Sequence, residues 1–159
     1  MERRRIRSMR ANLLIAAVAA IAAAAAVRSS VRAQEPAAAT TKSVWDGVYT
    51  DEQAKRGQGL YTKDCAQCHG TALEGVDMAP PLVGGSFTSN WNGMTVGDIF
   101  ERIRKTMPDD NPGSLSREET ADIVAFMLST GKFPTGTTEL APQAEVLKQI
   151  KFEATKPSR

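Results

Sequence analysis

From Thr50 onward, apolar positions recur at helical spacing in three stretches. Ala54, Gly57, Leu60 and Tyr61 define one face of a helix predicted from about Asp51 to Lys63. Thr50 is its N-cap, and Gln53, three residues on, completes a capping box. Gly57 costs about 1 kcal/mol relative to alanine inside a helix, which suits a position where another helix comes close. Ile99, Phe100 and Ile103 mark a second helix, from about Val96 to Lys105, ended by Met107-Pro108. Ile123, Val124, Phe126, Met127 and Leu128 form the apolar side of a third. Ser116 caps it, Glu119 closes a capping box, and the helix runs to about Ser129 with Gly131 at C′. The fold class is all-α, with three main helices.

The segments between and around these helices carry no such period. Gly70 to Gly97 holds Gly75, Pro80, Pro81, Gly84, Gly85 and Gly93 and reads as a long loop. A loop of that length inside a compact domain needs something to organise it, and a large apolar cofactor would do so. Asn111-Pro112-Gly113 is a turn. Residues 135–159 read as a C-terminal tail, in which residues 144 to 154 offer Val146, Leu147 and Ile150 for a short amphipathic helix; such tails are commonly mobile. Residues 34–44 read as a flexible linker, and ordered structure is expected from Trp45-Asp46-Gly47-Val48-Tyr49, the start of a domain spanning 45–134.

Residues 1–33 change the charge picture. They hold seven arginines and one acid, so the formal net charge of +2 for the whole chain becomes −4 for residues 34–159. An arginine-rich start, an uncharged Ala11–Val27 run and Val31-Arg32-Ala33 make this an export signal peptide, with cleavage expected after Ala33. The alternative is a retained anchor, although the run is short and alanine-rich for a span. Location is therefore expected to be periplasmic, with membrane attachment only if that segment is retained. A weakly acidic mature chain has no general pull toward nucleic acid, whose binding is dominated by cationic contacts to phosphate.

The chain has two cysteines and one histidine, all within Cys65-Ala66-Gln67-Cys68-His69. A disulfide here would close a tiny loop and constrain little. A structural zinc site needs about four ligands, usually Cys and His, more than the chain can supply from those residue types. A thioredoxin-like pair expects a βαβ context, and no strand alternation is present. Cys-x-x-Cys-His is the attachment motif of haem c. Two thiols one helical turn apart can bond the two vinyl groups on one porphyrin edge, and the next residue aims an imidazole at the iron. One haem c is expected, held through Cys65 and Cys68 with His69 as metal ligand.

A neutral thioether opposite the histidine would complete His/Met ligation. Outside the signal, Met78, Met94, Met107 and Met127 are the candidates. Met127 lies in the apolar run of the last helix. Met78 follows His69 too closely to reach the opposite haem face readily. Met94 is feasible, and Met107, extended before Pro108, is the assigned ligand. A ligating histidine usually donates its other ring N–H to a carbonyl; Pro80 is assigned, with Pro81 the alternative. Trp91 is a donor to a haem propionate or else a core aromatic. Leu82, Phe87, Phe100 and Ile103 are expected to line the pocket.

These residues together resemble a class I cytochrome c over about Thr50 to Gly131. Gly57 and Tyr61 stand where that family places a glycine and an aromatic on its first helix, and Ile123 and Phe126 match the apolar–aromatic pair on its last. The resemblance implies that these helices cross near right angles with Gly57 at the contact. Pro80-x-Leu82-x-Gly84 is similar to the family's proline-leucine-glycine loop. Met107-Pro108 followed by Pro112-Gly113-x-Leu115-Ser116 resembles the methionine loop of small bacterial members, which often accept electrons from quinoprotein dehydrogenases. The implied function is one-electron transfer between redox protein partners, a dehydrogenase donor and an oxidase or cytochrome acceptor, with no catalytic residue. The other classes are a haem subunit fixed in a dehydrogenase complex and a five-coordinate haem enzyme or sensor for peroxide or gas.

Overall fold

A computed structural model describes residues 42–158; the expected export signal and residues 34–41 of the expected linker lie outside the described residues. In chain order the elements are strand β1 (Lys42–Ser43), a 3₁₀ turn (Val44–Asp46), helices α1 (Asp51–Asp64), α2 (Ala66–His69), α3 (Gly84–Trp91), α4 (Val96–Thr106), α5 (Arg117–Thr130) and α6 (Ala144–Leu147), and strand β2 (Ile150–Lys151). The architecture is all-α apart from the two-residue strands.

Helices α1 and α5 make the central packing pair. Gly57 is buried, and a Cβ there would run into the backbone carbonyl of Asp122 in α5. The helices can approach this closely only because position 57 lacks a side chain. Tyr61 then stacks on Phe126 at 5.3 Å, and Ala54 packs into the same core as Ile123 and Val124. On the exposed side Arg56 chelates both carboxylate oxygens of Asp122 and also bonds Glu139, tying α1, α5 and the C-terminal segment together.

The three main helices start and stop within about a residue of expectation because their caps form. Thr50 Oγ1 accepts from Gln53 N, and Ser116 and Glu119 form the full reciprocal box. Two caps differ from the sequence reading. The Gln53 side chain does not return to Thr50; buried, it accepts from Leu140 N at 2.8 Å and donates to Leu140 O at 3.0 Å. Gly131 is right-handed (φ −70°), and the left-handed residue ending α5 is Lys132 (φ 65°).

Three further expectations are corrected. The 70–97 stretch contains α3, which starts on the helix-breaking pair Gly84-Gly85. It is held instead by Phe87 and Trp91, four residues apart on one face and 6.1 Å between rings. Lys42–Ser43 form a strand and Val44, which follows, is fully buried, so the last linker residues belong to the fold. The tail beyond residue 134 is packed: Leu140, Ala144, Leu147, Ile150 and Phe152 are all core residues. Of its large apolar side chains only Val146 is exposed, so a segment with few such residues is nonetheless structural. Helix α6 packs on α4, where Gly97 faces Lys148 and the Ala144 carbonyl. Strand β2 pairs in parallel with β1, Lys42 opposite Ile150 and Ser43 opposite Lys151.

Candidate functional site

Cys65 ends α1, and the chain turns directly into α2, so Cys65, Cys68 and His69 lie on one short helical turn: Cys68 N and His69 N both bond Cys65 O. Both cysteines are free thiols; Cys65 is half-buried and Cys68 exposed. Burial, aided by Asp64 and then Cys68, pushes the Cys65 thiol up to about 11. His69 is buried at 7% exposure.

The loop after His69 folds back onto the histidine. Tyr61 Oη donates to Gly70 O at 2.7 Å, fixing the turn to α1, and Gly75 N bonds His69 O at 2.8 Å. Burial raises the Tyr61 phenol, keeping it a donor. Gly75 has φ +78°, and a Cβ there would meet Ala79 O at 2.6 Å and Pro80 C at 2.9 Å. Only glycine closes this loop. The result is that Pro80 O lies 2.9 Å from His69 Nδ1. A carbonyl only accepts, so Nδ1 carries the proton and Nε2 keeps its lone pair free.

The other predicted residues lie at the edge of the core. Leu82, half-buried, bonds Leu73 O through its N–H. Met107 caps α4 in extended geometry (φ −125°, ψ 151°), half-buried, with its N–H on Ile103 O and a cis bond to Pro108. Trp91 ends α3, half-buried against Phe87. Of the expected pocket lining, Ile103 is half-buried, whereas Phe87 and Phe100 are buried in the core at 8% and 1% exposure. His69 and Pro80 are in direct contact; no hydrogen bond among the described residues joins Met107 or Trp91 to them. Of the remaining methionines, Met127 is core, while Met78 is 96% and Met94 42% exposed. An apolar hollow between α3 and α5 shares Leu82 with this region but not Cys65, Cys68, His69 or Met107, and has room for no more than about one water.

Sequence reasoning missed Gln53 as the partner of Leu140, Gly75 as the closing glycine, and Phe152. Gly75 was visible as a glycine; the other two act through partners distant in sequence and leave no local pattern.

The donor set fits a haem c: two free thiols on one turn and an imidazole with Nε2 available, with Cys65, Ala66, Leu82, Val83, Trp91 and Ile103 half-buried and packed on the core. Residues 52–127 match the family model described as cytochrome C oxidase, cbb3-type, subunit III. The chain carries a cytochrome c domain. Its α1 to α5 frame is the all-α cytochrome c fold, and the Cys-x-x-Cys-His motif that the family uses for covalent haem lies within the matched residues. No curated protein matches the sequence. Among solved structures, the sulfane dehydrogenase SoxCD from Paracoccus pantotrophus is similar at 25% identity and a TM-score of 0.46, covering 68% of this chain and 61% of that one. No helix of the described residues is long and apolar enough to cross a membrane.

Proposed function

We propose that this cytochrome c domain is a one-electron carrier with a single haem c in His/Met ligation. The supporting observation is the His69 Nδ1–Pro80 O contact at 2.9 Å beside two free thiols. It presets the imidazole as a ligand through Nε2 and leaves the sulfurs for thioether bonds. A haem c supplies a ferrous/ferric couple. Cys65 and Cys68 would hold it, His69 and Met107 would supply the nitrogen and sulfur for its iron, Leu82 and Ile103 would exclude water, and Trp91 would donate to a propionate. Pro80 keeps the His69 proton on Nδ1 and the ring fixed, so the ligand does not reorient between oxidation states. The protein's contribution is position and electrostatics, and no acid, base or nucleophile is required.

The arginine-rich start and apolar Ala11–Val27 run, read as an export signal, together with the motif support a periplasmic carrier between a dehydrogenase, with a quinoprotein as the candidate class, and an oxidase or other cytochrome. The match to an oxidase-subunit family favours a second reading, a haem subunit fixed in a complex. Co-purification of a stoichiometric partner from native membranes or extracts selects that reading over a free shuttle.

Protein matured with haem tests the assignment. Its colour should survive acid-acetone extraction, and its oxidised spectrum should show a sulfur-to-iron charge-transfer band that Met107→Ala removes. Extractable haem overturns the covalent reading. A band that persists in Met107→Ala moves the sulfur ligand elsewhere, and the absence of any band in the native protein favours the five-coordinate enzyme or sensor.

A further inference from the structure

The C-terminal residues 150–154 form a strand-like strap across the loop that follows Trp91. Phe152 N donates to Met94 O at 2.8 Å, Gly93 N donates to Phe152 O at 2.8 Å, and Ala154 N donates to Asn92 Oδ1 at 2.9 Å. The three residues after Trp91 are thus each bonded to the strap. A turn closed by Met94 N on Trp91 O at 3.0 Å connects them to the tryptophan itself. The strap's other edge is anchored through β1 and by Trp45 Nε1 donating to Glu153 O at 2.9 Å.

A second route runs through rings. Phe152 is fully buried and sits edge-on to Phe87 at 5.8 Å, and Phe87 lies 6.1 Å from Trp91. Aromatic pairs at these separations prefer defined relative orientations, so Phe152 restricts Phe87 and Phe87 restricts the indole. The Trp91 indole N–H has no hydrogen-bond partner among the described residues, which leaves it free for an acceptor outside the chain.

We propose that residues 150–154, with Phe152 as the key, are a positioning element for Trp91 that couples the C-terminal segment to the reduction potential of the haem. The proposal rests on the reading of Trp91 as donor to a propionate. A held donor offsets propionate charge near the iron. A loosened one leaves more negative charge there, which favours the ferric state and lowers the potential.

The test is redox titration of the full, haem-loaded protein and of Trp91→Phe, Phe152→Ala, Phe152→Leu and Phe152→Ala in the Trp91→Phe background. Trp91→Phe and Phe152→Ala should each lower the potential, with Phe152→Leu closer to wild type. In the Trp91→Phe background Phe152→Ala should add no further shift, the non-additivity expected of residues acting through one another. Lowered thermal stability with an unchanged potential in Phe152→Ala overturns the strap, as does an equal shift in both backgrounds. An unmoved potential in Trp91→Phe overturns the propionate reading itself, and the strap's proposed role with it. If Phe152→Ala does not fold, Phe152→Leu in both backgrounds carries the same comparison with a smaller shift, since it removes the ring contact to Phe87 and keeps an apolar side chain in the core.

Discussion

Two glycines in α1 make opposite predictions from one substitution. Gly57 is buried against α5, where a new Cβ would overlap the Asp122 carbonyl and lie 3.0 Å from Ile123 N. Gly59, two residues on, is exposed with nothing within 4 Å of a Cβ. Replacing a helix-interior glycine by alanine gains about 1 kcal/mol in propensity. At Gly59 that gain is unopposed, so Gly59→Ala is stabilising by about 1 kcal/mol. At Gly57 the obstruction is backbone, which cannot rotate away, so α1 and α5 must separate. Overpacking typically costs about 1–3 kcal/mol, and a backbone clash belongs at the top of that range. After the propensity gain, Gly57→Ala is destabilising by about 2 kcal/mol. The two variants should then differ by about 3 kcal/mol, or about 10 °C or more in Tm for a domain of this size. Thermal unfolding of both haem-loaded variants, followed by far-UV circular dichroism, checks this. A Gly57→Ala protein as stable as wild type would mean that the α1–α5 contact is not limited by position 57.

Gln53→Ala strands the buried Leu140 N–H and C=O, and should cost about 2–3 kcal/mol in denaturant unfolding, with faster amide exchange in residues around Leu140. Glu119 has its pKa held below the usual carboxylate value, chiefly by the backbone N–H of Ser116 and then by its hydroxyl. Its contribution is therefore present above the unfolded value of about 4.3 and lost as pH falls through the lower folded value. Glu119→Gln should be less stable than wild type at neutral pH, with the difference closing below about pH 4; a gap that persists in acid refutes the assignment. Arg102, Arg104 and Lys105 precede Met107, and Asp109 and Asp110 follow it, although Lys105 is paired with Glu101 and Arg104 reaches Leu115 O. If this mixed rim steers redox partners, stopped-flow reduction rates should change with ionic strength; salt-independent rates remove steering.

The main helices were legible because their signals are local: Thr50 and Ser116 as caps, and an apolar face repeating every three or four residues. Helix α3 was not, because its first two residues are glycines and only tertiary packing of Phe87 and Trp91 sustains it. The C-terminal segment was read as a tail since its apolar residues are sparse, yet Leu140 answers Gln53 from 87 positions away and Phe152 pairs with Phe87. For the site, the residue types and their order were plain in Cys65–His69. Which of two adjacent prolines turns its carbonyl to the histidine depends on Gly75 folding the loop back, a three-dimensional fact that a proline pair cannot announce.

The parallel pairing of Lys42–Ser43 with Ile150–Lys151 has a topological consequence. Among the described residues, an early segment and a late one meet at a single seam, zipped edge to edge. A tag, tether or fusion at either end pulls on the same stitch, and peeling one edge away unpins the other. A circular permutant joining the two ends through a short linker should therefore keep the seam closed, and an opening cut into the exposed 109–114 turn would relocate the termini without disturbing it.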